Sequence, residues 1–206
     1  HERLVGSEMC IRDSVNIVKL RISNGNGKSV EKQYQFSEAI FELTDDLVKA
    51  VMQEKKIENI TSCILSVGLY NAALIIKSYS LTKNVYIDGF YNINSVISIL
   101  QAADINIHIE KQTIDKLQID CAEVLLADCQ INQFDAGLSK FSPDENNLSN
   151  FEFEQIDIRD CHIHFMQMFN NCKRFNVQRS DINILNMNGT MRTKACLLYT
   201  SDAADD

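Results

Sequence analysis

Apolar residues between Ile97 and Phe134 recur in pairs every five positions: Ile97/Ile99, Ala102/Asp104, Ile107/Ile109, Gln112/Ile114, Leu117/Ile119, Ala122/Val124, Ala127/Cys129 and Asn132/Phe134. Of these 16 positions 13 are apolar, against 7 of the 22 between them. Charge stays out of phase, at Glu110, Lys111, Asp115, Lys116, Asp120, Glu123 and Asp128, with Asp104 the exception. On an α-helix a step of five turns the side chain by about 140°, so the stripe would wind around the axis. On a flat strand an odd step sends it to the opposite face. A chain that turns a corner about every five residues fits the pattern, with two side chains per edge pointing inward. Four edges close a coil of about 20 residues, and stacked coils bury a continuous core. The pattern predicts a mainly β chain, a quadrilateral parallel β-solenoid over residues 60–195.

The flanks predict other elements. Residues 17–36 read as a β-hairpin, in which Val18, Leu20 and Ile22 alternate with Lys19 and Arg21 and the turn is Ser23-Asn24-Gly25-Asn26-Gly27. Thr44 to Lys56 reads as a helix: Thr44 caps it, Asp45 and Asp46 suit its positive end, and Lys55 and Lys56 its negative end. Leu47, Val48, Val51 and Met52 form its apolar face. Hairpin and helix together (residues 15–59) are expected to cap the open end of the solenoid. The beat starts near Ile60, with Leu65/Val67, Tyr70/Ala72, Ile75, Val85/Ile87 and Phe90, and a short helix at Tyr70–Tyr79 is its alternative. A bulge or slip is expected near 90–96, where the phase changes. Residues 137–152, with the only proline (Pro143), read as an inserted loop. The beat resumes at Ile156/Ile158, Cys161/Ile163, Met166/Met168, Phe175/Val177, Ser180/Ile182 and Leu185/Met187.

Short motifs run through this region: Ala127-Asp128-Cys129, Ile156-Asp157-Ile158, Phe175-Asn176-Val177, Ser180-Asp181-Ile182 and Leu185-Asn186-Met187. They resemble the pentapeptide-repeat family, whose pattern is a small residue, Asp or Asn, an apolar centre and two variable residues. The likeness covers roughly residues 60–187, with bulky residues at the small position in Ile156, Phe175 and Leu185. It implies a right-handed parallel β-helix. It also implies a rival function, since some members resemble duplex DNA and bind type II topoisomerases as dimers.

The ends change the charge. Leu4–Ser14 and Cys196–Asp206 look like translated transposase adapter, because ATG-TGT-ATA-AGA-GAC-AG reads Met-Cys-Ile-Arg-Asp-Ser and its complement, in another frame, Cys-Leu-Leu-Tyr-Thr-Ser. Residues 1–14 and 196–206 are therefore set aside as adapter-derived, and the chain is read as a fragment of a longer protein. The remainder holds 18 basic and 22 acidic residues, about −4 instead of the −8 of the whole chain. That mild charge argues against direct nucleic-acid binding. Five cysteines remain, Cys63, Cys121, Cys129, Cys161 and Cys172, without a Cys-x-x-Cys pair. They suggest reduced thiols and a cytoplasmic setting. No run of 18 apolar residues predicts a membrane span.

Candidate chemistry is sparse. Gly27-Lys28-Ser29 follows an apolar strand, but a phosphate-binding loop needs a glycine where Ile22 stands and a helix where an alternating segment follows. Cys161-His162-Ile163-His164 suggests a metal cluster until the phase turns Cys161 and Ile163 inward and both histidines outward. Asp88, His108 and Asp128, spaced by 20 residues, could stack as an acid–base column, as in a carbohydrate-active β-helix enzyme. Phe141, Phe151 and Phe153 are the candidates for an exposed interaction patch. The expectation is a non-catalytic scaffold or protein-interaction module that uses no cofactor or metal and meets an unidentified protein partner. Pairing into a homodimer is compatible with it. The topoisomerase-directed DNA mimic ranks second, because Lys111, Lys116, Arg159, Arg174 and Arg179 interrupt an acidic stripe, and the carbohydrate-active enzyme third.

Overall fold

The computed structural model describes residues 15–137, 152–187 and 194–197. Over these residues the chain is mainly β with one helix, and its sheet is mostly parallel. Strands β1 (Asn16–Asn24) and β2 (Ser29–Phe36) form the expected hairpin, with Val18, Leu20 and Ile22 fully buried. A short strand, β3 (Ile40–Leu43), leads to helix α1 (Asp45–Lys55). Thr44 caps the helix by accepting from the Leu47 N–H at 3.1 Å, and Val48 and Val51 enter the core. Then follow β4 (Ile60–Tyr70), β5 (Ala73–Lys77), β6 (Asn84–Ile93), β7 (Val96–Glu110), β8 (Thr113–Ala127), β9 (Gln130–Ala136), β10 (Gln155–Arg159), β11 (His162–Met168), β12 (Arg174–Gln178), β13 (Asp181–Met187) and β14 (Lys194–Leu197). Residues 70–79 thus hold a strand and no helix. β14 takes in Cys196 and Leu197, beside Asn176 and Val177 of β12. Among the described residues no helix is long and apolar enough to cross a membrane.

The parallel pairings sort into two ladders that the chain visits in turn. The first contains β4, β6, residues 106–110 of β7, residues 123–127 of β8, β10, β12 and β14. The second contains β3, β5, residues 96–100, residues 113–119, β9, β11 and β13. β7 and β8 each bend from one ladder into the other. Circuit length varies: Asn84 pairs with Asn106 22 residues on, Asn106 with Glu123 17 on, Gln130 with His162 32 on, and His162 with Asp181 19 on. At the N-terminal end β1 pairs antiparallel with β4, so the hairpin continues the first ladder in the opposite sense. The strand path from β13 to β2 does not return on itself.

Between the first ladder and the second, every described corner has two residues, and the first is left-handed: Asn71, Asn94, Lys111, Asp128, Asp160 and Arg179, with φ of 51, 48, 54, 52, 53 and 45°. The second residue faces inward. It is Ala72, Ser95, Gln112, Cys129 or Cys161, all buried, or the half-buried Ser180. Four of them donate to the carbonyl two residues back: Gln112 to Glu110 at 3.0 Å, Cys129 to Ala127 at 3.2 Å, Cys161 to Arg159 at 3.1 Å and Ser180 to Gln178 at 2.8 Å. A tight corner would otherwise bury that carbonyl unpaired. The described return corners differ in length: residues 78–83, 101–105, 120–122 and 169–173.

The burial pattern explains the five-residue beat. Inward side chains alternate along a strand and skip one residue at a corner, and two plus three makes five. Ile107, Ile109, Gln112, Ile114, Leu117 and Ile119 are buried as expected, and so are Ile156, Ile158, Cys161, Ile163, Met166, Met168, Phe175 and Val177. Three local corrections follow, the first being that Leu185 and Met187 of β13, expected to face inward, are exposed. The three-residue corner at 120–122 shortens the circuit and shifts the phase, so Cys121, Leu126 and Ile131 are buried while Ala122, Ala127 and Asn132 are not. In β5 the inward residues are Leu74 and Ile76, not Ile75. The bulge expected near 90–96 is found at its edge, where the β4–β6 register passes over Phe90.

Candidate functional site

The return corners build a groove of about 560 Å³. Tyr79, Ser80, Thr82 and Lys83 come from one corner, Asp104 and Ile105 from the next, Ala122 from the third with Glu123 opening the strand segment after it, and Glu154 from just before β10. Its floor is held firmly. Tyr79 is 2% exposed, its hydroxyl 3.3 Å from Thr82 Oγ1, and burial pushes its phenol well above the usual range. Ser80 is tied to the helix start, its N–H and Oγ donating to Asp45 at 3.0 and 2.7 Å. The rim carries three carboxylates and one ammonium. Lys173 covers Glu154, with its Nζ 2.5 Å from Oε1.

The outer face of the first ladder continues this groove. Outward positions run in rows across the strands because the pairing is parallel and in register. Asn84, Asn106, Glu123 and Gln155 form the row bordering the groove, and Tyr86, His108, Leu125 and Asp157 the next. The Tyr86 and His108 rings stack, with centroids 4.7 Å apart and planes inclined by 24°. Tyr86 remains exposed. Burial lowers the His108 pKa, opposed by Glu110 and Glu123, so the imidazole is held towards its neutral form. Asp157 is buried, and it accepts from Gln155 Nε2 (2.6 Å), Arg159 Nη2 (3.2 Å) and Asn176 Nδ2 (2.6 Å).

Asp88, His108 and Asp128 are not brought into one row. His108 lies between Tyr86 and Leu125, 22 and 17 residues away, so a spacing of 20 fits neither step. Asp88 sits two residues beyond Tyr86, opposite Ser66, and Asp128 occupies the left-handed corner after Ala127. Phe153 needs a correction as a surface candidate. It is 0% exposed, because its parallel bridge to Cys172 turns the ring into the core. Phe141 and Phe151 lie outside the described residues.

The remaining motifs have plain structural roles. Gly27 (φ 79°) belongs to the hairpin turn, and Lys28 Nζ donates to the Lys56 carbonyl at 2.6 Å, just past the helix. His162 and His164 are exposed while Cys161 points inward, and the described residues hold no group of three or more metal-ligating side chains. Among the basic residues that interrupt an acidic stripe, Lys116 meets Asp135 at 3.5 Å, and Arg179 forks onto Asp160 with both contacts at 2.7 Å. The aromatic stack escaped the sequence reading because Tyr86 and His108 are 22 residues apart, and only the register makes them neighbours.

Compared with known proteins, the chain matches no family model, no curated protein and no solved structure.

Proposed function

We propose that the chain is a non-catalytic, right-handed parallel β-helix that acts as a protein-interaction scaffold. Its binding face is the surface where the return-corner groove adjoins the Tyr86–His108 stack. The observation that carries the reading is that stack: two flat rings, one exposed, fixed on a ladder whose hydrogen bonds hold them in place. Aromatic anchors on rigid elements are what interfaces concentrate their energy on. Asp88 and Glu110 beside the rings, and Asp104, Glu123 and Glu154 along the groove, suit a partner segment with apolar and basic side chains. Two alternating ladders joined by short corners support the β-helix, since a coiled chain produces that pairing.

The test compares the purified chain with two double variants. Tyr86→Ala/His108→Ala changes the proposed face, and Asn132→Ala/His164→Ala changes the outer face of the second ladder. Proteins retained from a lysate are quantified by mass spectrometry. A retained set lost with the first variant and kept with the second supports the reading. Equal retention by all three chains overturns it.

A further inference from the structure

Cys129 and Cys161 occupy the same inner-corner position on neighbouring circuits. His162 pairs with Gln130 and Ile163 with Ile131, and the His162 N–H donates to the Cys129 carbonyl at 2.9 Å. One residue back on each strand, the two cysteines are therefore lateral neighbours. Parallel neighbours lie about 4.8 Å apart, inside the Cα–Cα window of about 4.4–6.8 Å that a disulfide needs. Both side chains point inward, 1% and 4% exposed, and each thiol leans on the carbonyl two residues back. Both are free thiols, as are Cys63, Cys121 and Cys172.

We propose that Cys129 and Cys161 form an oxidisable dithiol that closes to a disulfide when a small hydroperoxide reaches it. The Cys161 thiolate attacks one oxygen of hydrogen peroxide, giving a sulfenic acid and releasing hydroxide. The Cys129 sulfur then attacks the Cys161 sulfur and displaces that oxygen, which leaves as water with the Cys129 proton, while the proton that Cys161 gave up neutralises the hydroxide. Overall, two thiols and one peroxide give one disulfide and two waters. The neighbouring thiols set the order of events. The interaction between the two neighbouring thiols lowers the pKa of Cys161 and raises that of Cys129. A lowered thiol pKa makes the more reactive nucleophile. The other three thiols have the opposite character: burial raises Cys63 to about 12, Cys172 to about 11 and Cys121 well above its usual value. A small oxidant is required because both sulfurs are covered. The route inward is short, since the exposed corner residues Asp128 and Asp160 directly precede the two cysteines. The bond would span the 32-residue circuit and tie its two ends together.

The test treats the folded chain with millimolar hydrogen peroxide, then alkylates it and maps peptides without reduction. The expected result is a Cys129–Cys161 linked peptide as the main disulfide, with Cys63, Cys121 and Cys172 alkylated only after unfolding. Oxidation should raise the thermal midpoint by roughly 5 °C, reversibly with dithiothreitol, as closing a long loop does. Cys129→Ala should abolish both effects, and Cys172→Ala should leave both intact. The wild-type peptide map decides the matter even if a variant fails to fold. Over-oxidised Cys161 without the link, or a link that forms only in urea, overturns the proposal.

Discussion

Asn92 and Gln112 join their side-chain amides inside the wall, with Asn92 Nδ2 donating to Gln112 Oε1 at 2.5 Å. Gly89 leaves the room for this pair, because a Cβ there would overlap both amide groups. The pair links the backbones around it: Asn92 Oδ1 accepts the Leu69 N–H at 3.0 Å, and Gln112 Nε2 donates to the Glu110 carbonyl. Gly89→Ala should therefore cost about 1–3 kcal/mol, as overpacking does. Urea unfolding measures the loss. The double variant Gly89→Ala/Gln112→Ala should lose less than the sum of the single changes, because the two residues share one space.

Asp120 is 4% exposed, and its Oδ1 has no hydrogen-bond partner. Burial raises its pKa above the ordinary 3.8, opposed by the Gln101 N–H. A group whose pKa is raised on folding supports the fold below its ordinary value and loses that support as pH rises through the folded value. Asp120→Asn should thus stabilise the chain at pH 7 by about 1 kcal/mol. The gain should shrink on acidification and vanish below the ordinary carboxylate value. Thermal midpoints of both chains across a pH series check this.

His108 has the opposite sign. Its pKa is lowered by burial against the ladder, so the neutral ring suits the fold, and stability should fall as pH drops below the ordinary 6.5. The NMR titration of His108 should show a midpoint under that value. Tyr86→Ala, which uncovers one ring face, should move the midpoint up.

Lys111 holds φ 54° at a corner where Asn71, Asn94, Asp128 and Asp160 hold nearly the same angle. Asn and Asp enter that region readily, and other L-residues at a cost of about 1–2 kcal/mol. Lys111→Asn should raise stability by up to about 1 kcal/mol, read as a higher urea midpoint at unchanged slope.

Phe153 is wholly buried beside Cys172. Phe153→Ala should cost about 3–5 kcal/mol, the range for a core phenylalanine. A surface residue would show almost no change in the unfolding midpoint.

The residues show why some of the fold was legible and some was not. Thr44, Asp45 and Asp46 announce the helix through its unpaired N–H groups, and Gly27 announces the hairpin turn through its positive φ. The two-plus-three beat is visible because strands and corners write it in aliphatic residues. Ala122 and Ala127 mislead because a small apolar side chain sits comfortably on either face, and Ala73 to Ile76 offers no polar contrast to fix direction. Gln112 and Asp157 fit a phase or a motif, but nothing local reveals that each is buried by a partner about 20 residues away. The stacked rings are hidden for the same reason. Cross-circuit neighbours depend on circuit lengths, and only pairing sets those.

The corners also bear on grafting. The corner from the first ladder to the second has two residues on every described visit, while the described return corners run from three residues to six. A foreign peptide spliced into residues 78–83 or 169–173 would leave the rungs on either side in step. One residue added between Lys111 and Gln112 would instead invert the facing of the strand behind it. The molecule thus has a hem that can be let out and a seam that cannot, and the hem is the side that carries the groove.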